Sequence, residues 1–184
     1  IKALVLKYPV DVAKQTPRRK YQDEVDFLVS CQERNNFIKN LALSMKTNTL
    51  VLFNYVEKHG DILYDIIKHK AAKDRPVYYV YGGTEVSLRE KVRELAESDK
   101  CAIIIASSGV FSTGVNIKNL HNIIFTHPGK SKIRTLQSIG RGLRTSDTKE
   151  SATLYDIVDD MSYKTSKNFA YKHFVERHQY YMEE

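Results

Sequence analysis

The stretch AIIIAS, Ala102 to Ser107, is apolar at nearly every position and leads into a polar segment rich in Ser and Gly. A strand with one solvated face alternates apolar and polar residues, whereas a strand covered on both faces is apolar throughout. The run therefore predicts a strand buried inside a parallel sheet. Similar runs recur along the chain: TLVLF at Thr49–Phe53, VYYVY at Val77–Tyr81, NIIFT at Asn122–Thr126 and TLYDIV at Thr153–Val158.

Helical patterns fill the intervals between these runs. They lie at about 23–45, around 56–67, in SLREKVRELAES, at about 131–143 and near the C terminus. Parallel strands need crossover helices, so this alternation predicts an α/β fold of three layers, with a parallel central sheet flanked by helices. We assign residues 21–184 to this domain. Residues 1–20, which contain the polar run DVAKQTPRRK, are assigned to a lead-in segment or inter-domain linker.

Composition limits the classes of function that the chain can serve. Its 184 residues suffice for one domain, and 42% hydrophobic with 28% charged residues is typical of a folded protein. A net charge of +7 favours a polyanionic partner such as nucleic acid. Two cysteines indicate neither a disulfide framework nor a metal site, so we expect a reducing, cytoplasmic setting. No apolar run approaches a bilayer span, so no membrane partner is expected.

Two stretches imitate parts of a nucleotide site. PGKS, at Pro128–Ser131, ends like a phosphate loop, but Ile124 stands where that motif requires its first glycine. DEVD, at Asp23–Asp26, imitates the acidic Mg²⁺ motif of nucleotide-driven motors, in which the carboxylates end a buried strand. Here the polar residues RRKYQ precede it, which favours the first turn of a helix. The chain therefore has no recognisable phosphate loop of its own.

The stretch QSIGRGLR, Gln137 to Arg144, nevertheless has the residues of an anion site. On a helix, Gln137, Arg141 and Arg144 share one face, and planar guanidinium groups suit phosphoryl oxygens. Upstream, SSGVFSTGVNI follows the strand at 102–107. Its hydroxyl groups suit phosphate oxygens, Gly114 permits a tight turn, and the amide of Asn116 suits a ribose hydroxyl.

Taken together, these segments resemble the second RecA-like motor domain of superfamily 2 helicases. TLVLFNYVEKHGDIL resembles motif IV of that family, SSGVFSTGVNI resembles motif V, and QSIGRGLR matches the motif VI pattern QxxGRxxR. Their order and spacing agree from about Thr49 to Asp159. The stretches KSKIRTLQSIGRGLR and GVFSTGVNIKNL are most similar to phage recombination and repair helicases. Ser108 and Asn116 depart from the usual Thr and Asp but keep hydrogen-bonding groups.

The resemblance implies a DNA motor in which ATP with Mg²⁺ is held mainly by an N-terminal RecA-like domain of the same polypeptide. This chain would supply Arg141 and Arg144 as arginine fingers. Nearer the nucleotide would lie Gly114, Asn116 and Gln137, with Gln137 coupling the cleft to the nucleic acid. The residues expected to contact DNA are Asn54, Gly82, Gly83, Ser108, Thr113, Lys130 and Lys132. YGGTEVSLRE, with Arg89, resembles a further element of the family.

We expect the DNA to be branched or forked, and the setting to be the host cytoplasm if a phage encodes the protein. Because the sequence begins with Ile1 instead of Met, we expect a fragment that is inactive alone. Two alternatives stay open. One is a non-enzymatic nucleic-acid-binding module that retains the fold, and the other is a duplex translocase subunit of a restriction system.

Overall fold

The computed structural model describes residues 1–112, 119–129 and 152–183. In these residues six strands form one sheet, with the order β1-β6-β5-β2-β4-β3 and all neighbouring strands parallel. The predicted parallel sheet is therefore confirmed. The strands are β1 (Lys2–Lys7), β2 (Thr49–Phe53), β3 (Val77–Val80), β4 (Ile103–Ser107), β5 (Asn122–Phe125) and β6 (Thr153–Asp160).

Every residue of β2, β4 and β5 is buried, which explains why their sequences show no alternation. Helices cover both faces of the sheet. In the described residues they are α1 (Val10–Ala13), α2 (Tyr21–Ser30), α3 (Gln32–Ser44), α4 (Asp61–Lys70), α5 (Val86–Ser98), α6 (Ser108–Ser112) and α7 (Phe169–Glu183). None of them is both long and apolar enough to cross a lipid bilayer.

Two apolar cores fill the space between the three layers, one on each face of the sheet. One core joins α5 and the side chain of Tyr181 in α7 to residues such as Leu52 and Ile104 of the sheet. The other joins α3 and α4 to the opposite face, through residues such as Phe53 and Ile105. Since successive residues of a strand point to opposite faces, the fully apolar runs supply both cores at once.

The single helix predicted at about 23–45 is wrong. Helix α2 ends at Ser30 and α3 begins at Gln32, because Cys31 has extended backbone angles (φ −65°, ψ 113°). The hydroxyl of Ser30 donates to the carbonyl of Asp26 at 2.8 Å, which satisfies an acceptor in the last turn of α2. Helix α3 packs on α4, whereas α2 packs on α7 and on the turn at Val56–Gly60.

The predicted lead-in segment contributes to the sheet. Lys2–Lys7 forms the edge strand β1 and pairs in register with Tyr155–Asp160 of β6. Lys7 forms an ion pair with Asp160 across these two strands. The polar run DVAKQTPRRK contains the end of α1, a 3₁₀ turn at Thr16–Arg18 and Lys20, the N-cap residue of α2. A linker role for segment 1–20 stays a prediction.

Candidate nucleotide and nucleic-acid interface

The carboxyl ends of six parallel strands meet at one edge of the sheet, which is where ligands of such sheets bind. Of the predicted site residues, Asn54, Gly82, Gly83 and Ser108 lie at this edge, directly after β2, β3 and β4. Contact of these four residues with DNA stays a prediction. The others lie outside the described residues: Thr113, Gly114, Asn116, Lys130, Lys132, Gln137, Arg141 and Arg144.

The turn after β3 is held closed by hydrogen bonds. The Thr84 amide donates to the carbonyl of Tyr81 at 2.9 Å, and the Tyr81 amide donates to the Thr84 hydroxyl at 3.0 Å. Arg89, at the start of α5, donates to the carbonyls of Thr84 at 2.7 Å and Gly82 at 3.3 Å. The arginine of YGGTEVSLRE therefore binds its own turn, and the turn presents Gly82 to solvent in a fixed place.

The two glycines of this turn differ in their surroundings. A Cβ atom at Gly83 would lie 2.8 Å from the ring of Tyr81, so a larger residue there requires that ring to move. A Cβ atom at Gly82 would meet nothing within 4 Å. Gly82 is thus open to an approaching ligand backbone, whereas Gly83 is explained by packing within the chain.

Ser108 starts α6 directly after strand β4, which lies between β2 and β3. Its hydroxyl donates to the carbonyl of Phe53, at the end of β2, over 3.2 Å. A serine hydroxyl has one proton, so this group ties two strand ends together in the structure. Contact with a phosphate oxygen would require the Ser108 hydroxyl to rotate away from Phe53.

The connection between β2 and α4 is a π-helical turn at Val56–Gly60. The Gly60 amide donates to the carbonyl of Tyr55 at 2.8 Å. A Cβ atom at Gly60 would lie 2.5 Å from the Phe53 ring, so only glycine fits this close approach. Such turns occur often at functional sites, and here it follows directly on the predicted contact residue Asn54.

The loop after β5, Thr126–Gly129, leads toward the segment that contains Arg141 and Arg144, and three helices hold it. Arg34 of α3 donates to the carbonyl of Thr126 at 2.6 Å. His173 of α7 lies 3.3 Å from the carbonyl of Pro128. At Gly129 a Cβ atom would lie 2.5 Å from the His127 ring and 3.3 Å from the Tyr21 hydroxyl of α2.

Two buried ion pairs join β6 to the helices α3 and α7 that hold this loop. Arg34 binds Asp159 of β6 through two hydrogen bonds of 2.8 and 3.0 Å, and both side chains are 0% exposed. The Tyr8 hydroxyl donates to the same carboxylate at 2.7 Å, and burial is the main cause that raises the pKa of Tyr8. A second pair joins Arg177 of α7 to Asp156 at 3.0 Å.

Sequence reasoning missed these pairs. The signal was the spacing of three carboxylates, Asp156, Asp159 and Asp160, in the strand-like run TLYDIVDD. A carboxylate within a buried strand requires a cationic or hydrogen-bonding partner, because unpaired burial of a charge is costly. Arg34 lies 125 positions before Asp159 and Arg177 lies 21 positions after Asp156, and neither spacing has a periodic signature.

DEVD is placed as predicted, in the first two turns of α2, but its carboxylates serve more than the helix dipole. Glu24 is buried and accepts hydrogen bonds from the amides of Phe169 at 3.1 Å and Ala170 at 2.7 Å. It also accepts one from the Asn168 side chain at 3.0 Å. Glu24 therefore caps the N terminus of α7, so its carboxylate serves the fold and not Mg²⁺.

His59 is fully buried in the π-helical turn beside this ion-pair system. Its Nε2 lies 3.2 Å from Oδ1 of Asn35, whereas Nδ1 has no hydrogen-bond partner among the described residues. Burial is the largest cause that lowers the pKa of His59 well below 6.5, and electrostatic interactions with Arg34 and His127 lower it further. The folded state therefore keeps His59 neutral.

This neutrality predicts a pH dependence of stability. In the unfolded chain His59 binds a proton below about pH 6.5, but in the folded chain it does not, so the free energy of unfolding falls as the pH drops below that value. The contribution approaches about 1.4 kcal/mol per pH unit. We expect His59→Gln to reduce this slope in urea titrations between about pH 7.5 and 5.

The exposed residue His69 supplies the control for this titration. His69→Gln should keep the slope of the unsubstituted chain. Equal slopes for His59→Gln and the unsubstituted chain would show that His59 does not carry the pH dependence.

The family model of the helicase conserved C-terminal domain matches residues 33–146, more than half of the chain. The chain belongs to this helicase C-terminal domain family. It is 37% identical over its whole length to the "ATP-dependent DNA helicase uvsW" of Enterobacteria phage T4 and covers 38% of that protein. It is 24% identical to the "Putative ATP-dependent helicase IRC3" of Saccharomyces cerevisiae, over 66% of this chain and 19% of that one.

Solved structures agree with the family assignment. The crystal structure of T4 UvsW superposes with a TM-score of 0.86 and 36% identity, over 99% of this chain and 39% of that one. Domain 2 of the DEAD-box helicase Mss116p, bound to an RNA duplex, superposes with a TM-score of 0.54 at 14% identity, over 86% of this chain and 54% of that one, which supports the fold alone. The helicase C-terminal domain therefore has the RecA-like fold, and the resemblance to a phage helicase is confirmed. The chain spans about two fifths of UvsW.

Within residues 1–112, 119–129 and 152–183, no three His, Cys, Asp or Glu side chains come together as a metal site. The described edge presents the backbone of the turn at Gly82 and the hydroxyl of Ser108, whereas Arg141 and Arg144 lie outside the described residues.

Proposed function

We propose that this helicase C-terminal domain is the second motor domain of an ATP-dependent DNA helicase or translocase. The observation that carries the proposal is the 37% identity to T4 UvsW over the whole chain. The motif VI pattern QxxGRxxR at Gln137–Arg144 supports the same role. We further propose that the polypeptide processes branched or forked DNA in recombination, replication-fork processing and repair.

In this proposal ATP with Mg²⁺ is held mainly by an N-terminal RecA-like domain of the same polypeptide. Arg141 and Arg144 stabilise the charge that develops on the transferring phosphoryl group, because guanidinium is permanently charged and presents paired donors. Gly114, Asn116 and Gln137 line the nucleotide side of the cleft. The anchoring of Thr126 and Pro128 by Arg34 and His173 supports this arrangement, since it fixes the loop that precedes the two arginines.

The nucleic-acid side is proposed to comprise Asn54, Gly82, Gly83, Ser108, Thr113, Lys130 and Lys132. The open surroundings of Gly82 support a close approach of a phosphate backbone at the turn after β3. Gly83 supports that contact indirectly, since a Cβ atom at this position would meet the ring of Tyr81 and change the shape of the turn. Backbone contacts of this kind carry no sequence information, which suits a motor that moves along DNA.

The first test compares this chain with the intact polypeptide that contains it. We expect the isolated chain to hydrolyse ATP no faster than a buffer control, because this RecA-like domain has no recognisable phosphate loop of its own. The intact polypeptide should show ATP hydrolysis that DNA stimulates, and strand separation on forked substrates. Phosphate release and a fluorescent strand-displacement assay measure the two activities.

Three outcomes separate the candidate functions. Robust hydrolysis by the isolated chain contradicts the shared cleft. Salt-sensitive DNA binding by the intact polypeptide without ATP hydrolysis indicates the non-enzymatic binding module. ATP-driven movement on duplex DNA without strand separation, on forks and on four-way junctions alike, indicates a duplex translocase.

A further inference from the structure

Two connections at one corner of the sheet carry a group of basic side chains that the proposed function does not use. The first connection runs from α1 to α2, and the second runs from β6 to α7. We name this group the basic corner, and it consists of Lys14, Arg18, Arg19, Lys164, Lys167 and Lys172. All six are exposed to solvent except Arg19, which is half-buried.

The two connections meet around two adjoining depressions. A cavity of about 720 Å³ is lined by Lys14, Arg18 and Arg19. A second, of about 450 Å³, is lined by Arg19, Lys167 and Lys172, together with the side chains of Thr165 and Ser166. Arg19 lines both, so basic side chains from distant parts of the sequence form one continuous surface.

Little negative charge balances this surface. None of the six basic residues has an ion pair with a described residue, and the acidic residue in the lining is Asp23, which accepts a hydrogen bond from the Lys20 amide at 3.4 Å. The nearby carboxylate of Glu24 is buried and accepts hydrogen bonds from the N terminus of α7. The basic corner therefore keeps an unneutralised positive charge at the surface.

Aromatic rings hold several of these cations in place. Arg19 lies 4.3 Å from the ring centroid of Phe27, Lys167 lies 5.7 Å from that of Tyr171, and Lys172 lies 5.5 Å from that of Phe169. Stacking of a cation on a ring limits the conformations of a long side chain. Less conformational entropy is then lost when these side chains bind an anion.

The turn at Lys164 supports a binding role. The amides and carbonyls of Tyr163 and Ser166 exchange hydrogen bonds of 2.9 Å, which close a two-residue turn with Lys164 first. Lys164 has a φ of 52°, and it is the only non-glycine residue with a positive φ in the described part of the chain. Gly or Asn adopts this conformation more readily than Lys, so the lysine is kept at a conformational cost and displayed at the tip.

The basic corner lies at the carboxyl edge of the sheet, after β1 and β6, on the edge that carries Asn54, Gly82 and Ser108. Five inter-strand spacings of about 4.8 Å separate β1 from β3, so the edge is about 24 Å long. At a rise of about 3.4 Å, this length equals about seven base pairs of duplex DNA.

We propose that the basic corner is an auxiliary contact surface for the DNA phosphate backbone, which extends the proposed interface toward β6 and β1. The proposal rests on the proposed function, because the DNA that it contacts is the substrate of the motor. Two depressions lined by fixed cations and hydroxyls match a repeating anion better than a single one. The +7 net charge of the chain favours the same partner.

The test removes three charges from the basic corner of the intact polypeptide by Arg18→Ala, Lys167→Ala and Lys172→Ala. A matched variant removes three charges from the opposite edge of the sheet by Lys46→Ala, Lys73→Ala and Lys100→Ala, which are exposed residues that precede β2, β3 and β4. Fluorescence anisotropy gives the dissociation constant of a forked DNA as a function of salt concentration. Thermal unfolding checks that both variants are folded.

We expect the basic-corner variant to bind DNA more weakly. The negative slope of log affinity against log salt should become shallower by about 0.9 for each phosphate that the protein no longer neutralises, or about 2.7 for three. The opposite-edge variant should keep the slope of the unsubstituted protein. Equal slopes for the two variants overturn the inference and leave the proposed function intact. If the unsubstituted polypeptide binds no DNA, the proposed function fails with it.

Discussion

Replacement of Arg144 by Ala is expected to lower the DNA-stimulated ATP hydrolysis of the intact polypeptide by about 10³- to 10⁵-fold. In the proposed cleft the Arg144 guanidinium contacts the phosphoryl oxygens as their charge develops, and a loss of this size corresponds to about 4 to 7 kcal/mol of activation free energy. Arg141→Ala should have an effect of the same order, because both arginines share one helical face in the predicted helix. Phosphate release under saturating ATP and DNA measures the rate.

Two variants accompany Arg144→Ala. Arg144→Lys keeps the charge but loses the paired donors, so we expect only a partial recovery of the rate. Arg93→Ala removes an arginine from the surface of α5, where its partners are Glu90 and Glu97 of the same helix, and should leave the rate unchanged. Hydrolysis by Arg144→Ala within about tenfold of the unsubstituted protein would exclude an arginine finger at this position.

The second large effect concerns the ion pair under the loop after β5. Arg34→Met is expected to lower the free energy of unfolding by about 3 to 5 kcal/mol, because it leaves the carboxylate of Asp159 buried without its cation. It also removes the donor to the Thr126 carbonyl. Urea unfolding followed by circular dichroism at neutral pH measures the change.

Lys58→Met is the matched control, since the ion pair of Lys58 with Asp26 is exposed to solvent and contributes little to stability. Arg34→Met combined with Asp159→Leu removes both charges and should recover part of the lost stability. The recovery stays incomplete because Thr126 and Tyr8 lose their partners. Similar losses from Arg34→Met and Lys58→Met would show that burial of the Arg34 pair carries no special cost.

The strands were predictable because their signal is local. A run such as TLVLF is apolar along nearly its whole length, and the observed strand β2 has the predicted bounds. The helix break at Cys31 was not predictable in the same way, since both halves keep helical patterns. What separates them is the packing of α2 on α7 through Glu24, a contact between residues far apart in sequence.

The same contrast between local signals and long-range contacts applies to the candidate site. The sequence by itself determined the parallel sheet and the helicase motifs, because periodicity and motif spacing are properties of neighbouring residues. The DNA contacts of Asn54, Gly82, Gly83 and Ser108 stay predictions. Only the tertiary structure decided that Arg34 pairs with Asp159, that Glu24 caps α7, and that basic residues from both ends of the chain form one corner. Those contacts join residues more than a hundred positions apart, and such pairings arise from the packing of strands and helices.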